Sequence, residues 1–264
     1  PQPTGEGIPM SAAGPLPSHS PSQPTGEGAP LSAAGPLPRH SPPQPTGEGT
    51  PMRASASARR LDGLLANIRA CTLCATDLPL GPRPIVQAHP AARILIVGQA
   101  PGTRAHRSGR PFQDPSGNRL RDWLQMPEAV FYDSKRVAIA PMGFCYPGTG
   151  AGGDLPPRPE CAMAWRAALL AALPRIELTL VIGRYAHDYH LPVAFASVAQ
   201  AVQAWRSFWP VVVPLPHPSP RNNLWLRRNA WFEQELIPQL RGLVGRLLEQ
   251  PPGRLEVAAI APLP

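Results

Sequence analysis

The segment Gln-Pro-Thr-Gly-Glu-Gly starts at Gln2, Gln23 and Gln44, and Ser-Ala-Ala-Gly-Pro-Leu-Pro at Ser11 and Ser32, so the chain opens with an evenly spaced, proline-rich repeat. Each unit has several prolines, no aromatic side chain and only isolated leucines. Stacked copies would bury almost nothing to offset the entropy of ordering the backbone, which excludes a solenoid. Residues 1–56 therefore read as a disordered tail, and the proline-rich stretch 250–264 as a second, flexible one. Because many of the 39 prolines and 23 glycines fall in these ends, a folded unit is expected over residues 57–249.

That unit has the material for one core, since 43% of the residues are apolar and 6% aromatic. No apolar run approaches the roughly 18 residues of a membrane span. The formal charge of +8 comes from 25 basic against 17 acidic residues, and Lys135 is the lone lysine. Arginine grips phosphate with two donors at once, so a polyanion is a natural partner. A composition biased toward Arg, Ala, Pro and Gly together accounts equally well for the total. Only the placement of individual arginines can argue for function.

Arg59 to Ala70 sets Leu61, Leu64, Leu65 and Ile68 at helical spacing and runs directly into Cys71. Arg93–Val97 is a short β-branched run ending in a glycine-containing loop, the pattern of a buried parallel strand. Val137–Ala140, Leu178–Ile182 and Val211–Val213 repeat it, and helical patterns cover Asn118–Leu124, Glu160–Leu173 and Leu224–Leu240. Strand and helix in alternation predict an α/β fold, a three-layer α/β/α sandwich on a central, mostly parallel four-stranded sheet. Ligands of such sheets bind at the carboxyl ends of the strands.

Two loops lie at those ends. In the first, Gly98-Gln99-Ala100-Pro101-Gly102 leads to Gly109-Arg-Pro-Phe112 and Asp114-Pro-Ser-Gly117, a backbone that a flat or phosphorylated ligand can approach closely, with Phe112 able to stack on it. By itself this segment reads equally as a strand-to-helix turn with a core phenylalanine. In the second, Pro216 and Pro218 flank His217 and leave its imidazole little freedom, while Ser219, Arg221 and Asn222 add donors for phosphate or base edges. His217 is the leading functional candidate. The cysteines Cys71, Cys74, Cys145 and Cys161 follow no apolar secretory stretch, which points to a reducing, cytoplasmic compartment and to a metal site. Their spacing suits zinc and iron–sulfur ligation alike.

In this order, Gly98–Gly102, Gly109–Phe112 and His217–Asn222 resemble the two active-site motifs of the uracil-DNA glycosylase superfamily, over most of residues 60–245. The Cys71-x2-Cys74 and Cys145-x15-Cys161 pairs resemble the ligands of the iron–sulfur branch called family 4, which implies a 4Fe-4S cluster in place of zinc. The resemblance further implies excision of uracil or a related deaminated base from DNA, by flipping it into a pocket and hydrolysing the N-glycosidic bond. Under it His217 stabilises the departing base as the catalytic histidine. Gln99, with Gly98, Ala100, Pro101 and Gly102, cradles base and water. Phe112 stacks on the base, and Ser219, Arg221 and Asn222 meet the DNA.

The chain departs from that family at two positions. Gln99 stands where an acid is usual, leaving Asp114 or His106 as the nearest substitutes in sequence, and Pro141 stands where an asparagine would read the base edge. A non-catalytic iron–sulfur protein that holds DNA on the same fold is therefore the alternative expectation.

Overall fold

The computed structural model describes residues 51–249; of the tails expected over 1–56 and 250–264, residues 1–50 and 250–264 lie outside the described residues, while 51–56 are helical rather than disordered. Helix α1 (Pro51–Arg69) begins upstream of both Arg59 and the boundary expected at residue 57. Leu61, Leu65 and Ile68 form its buried stripe, as their spacing requires. Four parallel strands follow: β1 (Ile94–Val97), β2 (Val137–Ile139), β5 (Leu178–Ile182) and β6 (Val212–Leu215). A small antiparallel hairpin, β3 (Thr149–Gly150) and β4 (Gly153–Asp154), lies between β2 and β5 in sequence.

The sheet order is β2-β1-β5-β6. Ile94 is in register with both Val137 and Leu178, and Val181 with Pro214. Its strands are apolar on both faces because both faces are covered. Ile94, Ile96, Val137, Ile139, Leu178 and Leu180 point into one core, with Leu120 and Trp123 of α3 (Pro115–Leu124) and Leu240 and Leu243 of α9 (Ile237–Glu249). Leu95, Val97, Ala138, Ala140 and Val181 point into the other, with α1 and with Leu169 of α5 (Pro159–Ala171). Shorter helices, α2 (Thr103–Ser108), α4 (Glu128–Phe131), α6 (Arg184–His190) and α7 (Val198–Gln203), occupy the connections. The result is the three-layer α/β/α sandwich. Beyond β2, Gln87 exchanges backbone hydrogen bonds with Ile139 at 2.7 and 2.9 Å, which pairs an edge that would otherwise stand open. Among the described residues no helix is long and apolar enough to cross a membrane.

Element boundaries depart from periodicity where caps and prolines intervene. Helix α3 starts at Pro115, ahead of Asn118, because Asp114 caps it through Gly117 N–H (2.8 Å) and proline suits the first turn. The single helix expected over Leu224–Leu240 is broken. Helix α8 (Asn223–Arg228) ends where Asn229 Nδ2 donates to the Trp225 carbonyl (2.8 Å), and a π-helical turn, Phe232–Leu236, precedes α9. Pro238, in the first turn of α9, has no N–H to continue a ladder from Gln234. Strand β6 is displaced one residue beyond the Val211 start and runs on to Leu215.

From β1 the chain crosses to β2 on one side, then returns to place β5 on the other side of β1. The carboxyl ends of β1 and β5 thus mark the point where strand order reverses, the usual place for a ligand crevice.

Candidate active site and cysteine pocket

A cleft of about 590 Å³ opens there. It gathers the first loop from Gly98 to Gly102, Phe112, and the second loop from His217 to Asn222, so all ten of the non-cysteine candidates border one space. Ile139 and Pro141, at the end of β2, also line it.

The first loop is shaped by close packing. A side chain on Gly98 would meet the Phe112 ring at 3.3 Å, which sets this aromatic directly over the loop. Phe112 itself has φ 54, a left-handed backbone unusual for a bulky residue. Gly117 makes that conformation possible: a Cβ there would lie 1.7 Å from the Phe112 carbonyl oxygen, so only glycine lets α3 come this close. The Phe112 ring meets Phe131 edge-on. Gln99 Nε2 donates to the Leu155 carbonyl (2.8 Å), which ties the loop to the far end of the β3–β4 hairpin.

The second loop is held by its own polar groups. Asn222 Nδ2 donates to the His217 carbonyl (2.7 Å), Ser219 Oγ accepts from Arg221 N–H (3.2 Å), and Arg119 of α3 donates to the Ser219 carbonyl (3.0 Å). Ser219 and Asn222 therefore commit polar groups to keeping the His217 loop in shape. Arg221 is exposed, and its guanidinium lies over Gly153, 2.7 Å from where a Cβ would stand.

His217 opens onto the cleft, yet the protein surrounding it lowers its pKa by desolvation. The charges of Asp114 and Asp154 act in the opposite sense, and Arg221 reinforces the lowering. A neutral imidazole at neutral pH follows, a donor that carries no net charge of its own.

Asp154 is a member of the cleft that sequence reasoning missed. It lies well away in sequence from both loops, on a two-residue strand with no apolar pattern, and no local signal marks it. Asp114 had a signal, the Asp-Pro step of a helix start. His106, by contrast, is buried beside Tyr146 and is not among the residues lining the cleft.

Arg166 of α5 underlies the cleft from the other face of the sheet. It is 1% exposed and donates to the Ala140 and Pro141 carbonyls (3.2 and 3.1 Å) and to His190 Nε2 (2.7 Å). Burial pulls its pKa down to about 10 and that of His190 down to about 4.

The four cysteines also converge. Cys71, Cys74, Cys145 and Cys161 line one small pocket with Trp165, Phe144 and Arg158. Cys71 Sγ accepts from Trp165 Nε1 and Cys161 Sγ from Phe144 N–H, each at 3.3 Å. Burial raises the Cys74 and Cys145 thiols and pushes Cys161 up to about 12, so these are protonated thiols unless a cation takes them as thiolates. Among the described residues no group of three or more His, Cys, Asp or Glu side chains stands close enough to hold a single ion. The four thiols converge on one pocket, and two of them, Cys71 and Cys161, accept an N–H there.

Fold and cleft together define a doubly wound α/β protein with a ligand crevice at its switch point, walled by an aromatic ring and a neutral histidine. The model of the uracil DNA glycosylase superfamily matches residues 86–241, and the chain belongs to that superfamily. Its members are in general glycosidic hydrolases of DNA repair, which makes DNA the plausible partner.

Proposed function

We propose that this protein is a DNA glycosylase that removes uracil or a related deaminated base from DNA by hydrolysing its N-glycosidic bond. One observation carries the reading: His217, neutral and held by a proline-flanked loop, shares one cleft with the Phe112 ring. A base flipped from the duplex stacks on Phe112 while its carbonyl oxygen accepts a hydrogen bond from the imidazole. As the glycosidic bond breaks, negative charge gathers on that oxygen, and a donor already in place stabilises it without solvent reorganisation. Arg221 on the rim meets backbone phosphate. Pro141 offers no amide to the base edge, so the chain's tolerance among deaminated bases is expected to be broader than that of a site with a side-chain amide there.

Cys71, Cys74, Cys145 and Cys161 hold a 4Fe-4S cluster in this reading. The cluster crosslinks the end of α1 to the segment after β2 and to α5, a structural role.

The test is a panel of oligonucleotides carrying uracil, hypoxanthine or xanthine, incubated with protein purified without oxygen, with iron, zinc and sulfide measured on the same preparation. Cleavage after alkali on at least one substrate, with about four irons per chain, is expected. Stoichiometric zinc without iron would overturn the cluster. Binding without excision would favour the second reading, a non-catalytic protein on this fold. The observation on its side is Gln99, whose amide is engaged with the Leu155 carbonyl and which presents no carboxylate to water.

A further inference from the structure

Hydrolysis of a glycosidic bond needs a water held against the sugar and a group to take its proton, and His217, placed at the base, serves neither purpose. Two carboxylates border the cleft, Asp114 and Asp154. Their surroundings separate them. Asp114 is committed to the fold, because its Oδ1 caps α3 at the tightest contact in the site, where Gly117 passes the Phe112 carbonyl. Asp154 has no comparable structural role. It ends a two-residue strand, exposed, and its side chain supports no helix and no sheet core.

The chain nevertheless fixes Asp154 from several directions. Gln99 of the first loop donates to the adjoining Leu155 carbonyl (2.8 Å), and Arg221 of the second loop lies against Gly153, whose φ of 121 only glycine adopts readily. The hairpin end is thus held between the two motifs. Thr149 Oγ1 donates to Asp154 Oδ1 (3.2 Å) and is itself hydrogen-bonded to the Tyr146 hydroxyl. With Oδ1 held, Oδ2 stands 3.3 Å from the position a Gly102 side chain would take, at the mouth of the first loop. The charge of Asp154 reaches His217 across the same cleft.

We infer that Asp154 is the catalytic carboxylate that orients and deprotonates the attacking water, with Thr149 as its positioning residue. This rests on the glycosylase reading above. The bond between the sugar C1′ and the base nitrogen breaks, and its electron pair leaves with the base, stabilised at the base oxygen by His217. The water oxygen bonds to C1′, and its proton passes to Asp154 Oδ2 and then to solvent. The departing anion is protonated from solvent. Glycine at 102 and 153 follows from the same arrangement, since a side chain at the first would crowd Oδ2 and one at the second would displace Arg221.

The experiment is single-turnover excision by the full chain, on whichever substrate of the panel the wild type cleaves, with DNA affinity and melting temperature measured on each variant. Asp154→Asn keeps an oxygen for Thr149 and loses the base, so a fall of roughly a hundredfold or more in rate is expected, with affinity and melting held. Thr149→Val should lose less, roughly tenfold, and Thr149→Ser should recover it. Asp114→Ala, which deletes the oxygen that caps α3, should act first on melting temperature. Wild-type activity with an Asp154→Asn rate within a few-fold of it, or a larger rate loss for Asp114→Asn than for Asp154→Asn, overturns the inference alone. A wild type that cleaves none of the panel overturns the glycosylase reading and this inference with it.

Discussion

His217 opens onto the cleft from the loop that follows β6, so its removal separates a loss of rate from a loss of stability. His217→Ala should lower single-turnover excision by on the order of a hundredfold or more, about 3 kcal/mol, the usual cost of removing one donor to a developing anion. Melting temperature should stay close to wild type, and DNA affinity should fall much less than rate, because the interaction strengthens only in the transition state. A destabilised but active variant would make the residue architectural. The protonation state can be checked independently by following the imidazole resonances against pH. Their midpoint should lie below the ordinary histidine value, and Asp114→Asn or Asp154→Asn should lower it further, since both charges oppose the lowering.

At the scale of elements, the cleft depends on how the end of β2 is held. Arg166 reaches from α5 to the carbonyls of Ala140 and Pro141, two groups that β2 leaves unpaired as the chain turns away from the sheet. An isolated buried cation is costly. This one is offset by the two carbonyls, by His190 and by the Tyr189 ring, whose centroid is 5.1 Å away. Arg166→Met preserves most of the volume but abandons both carbonyls, so a loss of about 3 kcal/mol in unfolding free energy is expected, measured by urea denaturation under anaerobic conditions. Cys161 lies on the same helix as Arg166. The cysteine pocket and the floor of the cleft are thus carried by one rigid element, and a change in either bears on the other.

Over the whole domain, four histidines have lowered pKa values through burial: His106, His187, His190 and His217. Each binds a proton more readily in the unfolded chain than in the fold. Their contribution is therefore fully present above the unfolded histidine value near 6.5, and is lost as pH falls through the window between that value and the folded one. His190, lowered to about 4, sets the acid end of that window and accounts for up to about 3 kcal/mol. Its Nε2 already accepts from Arg166, so protonating it sets two cations face to face. Unfolding free energy measured from pH 7.5 to 4 should fall steadily below about pH 6.5, and His190→Gln should flatten the lower part of that curve. A profile without slope between pH 6.5 and 4 would remove the buried histidines from the account.

Some of this was readable along the chain because its causes are short-ranged. Runs such as Ile94–Val97 and Leu178–Ile182 are apolar on both faces, which is what a strand covered by helices on both sides requires, and their alternation with helical periods specifies parallel crossovers. The glycines of the first loop, the prolines around His217 and the paired cysteines announce their chemistry by identity and spacing. Caps act within one turn, so the start of α3 at Asp114-Pro115 and the break at Asn229 were also written locally, though periodicity alone overlooked them. Nothing local marks Asp154 or Arg166. Asp154 acquires its place because Gln99 donates to the backbone of the following residue, a contact between groups 56 positions apart, and Arg166 because α5 packs across the end of β2. Likewise, the lowered pKa of His217 comes from desolvation by protein that only folding brings around it, against the opposing charges of Asp114 and Asp154. Propensity and spacing determined the layers and the motifs; desolvation and long-range hydrogen bonds, which exist only once the layers close, decided which acid, which cation and which protonation state meet in the cleft.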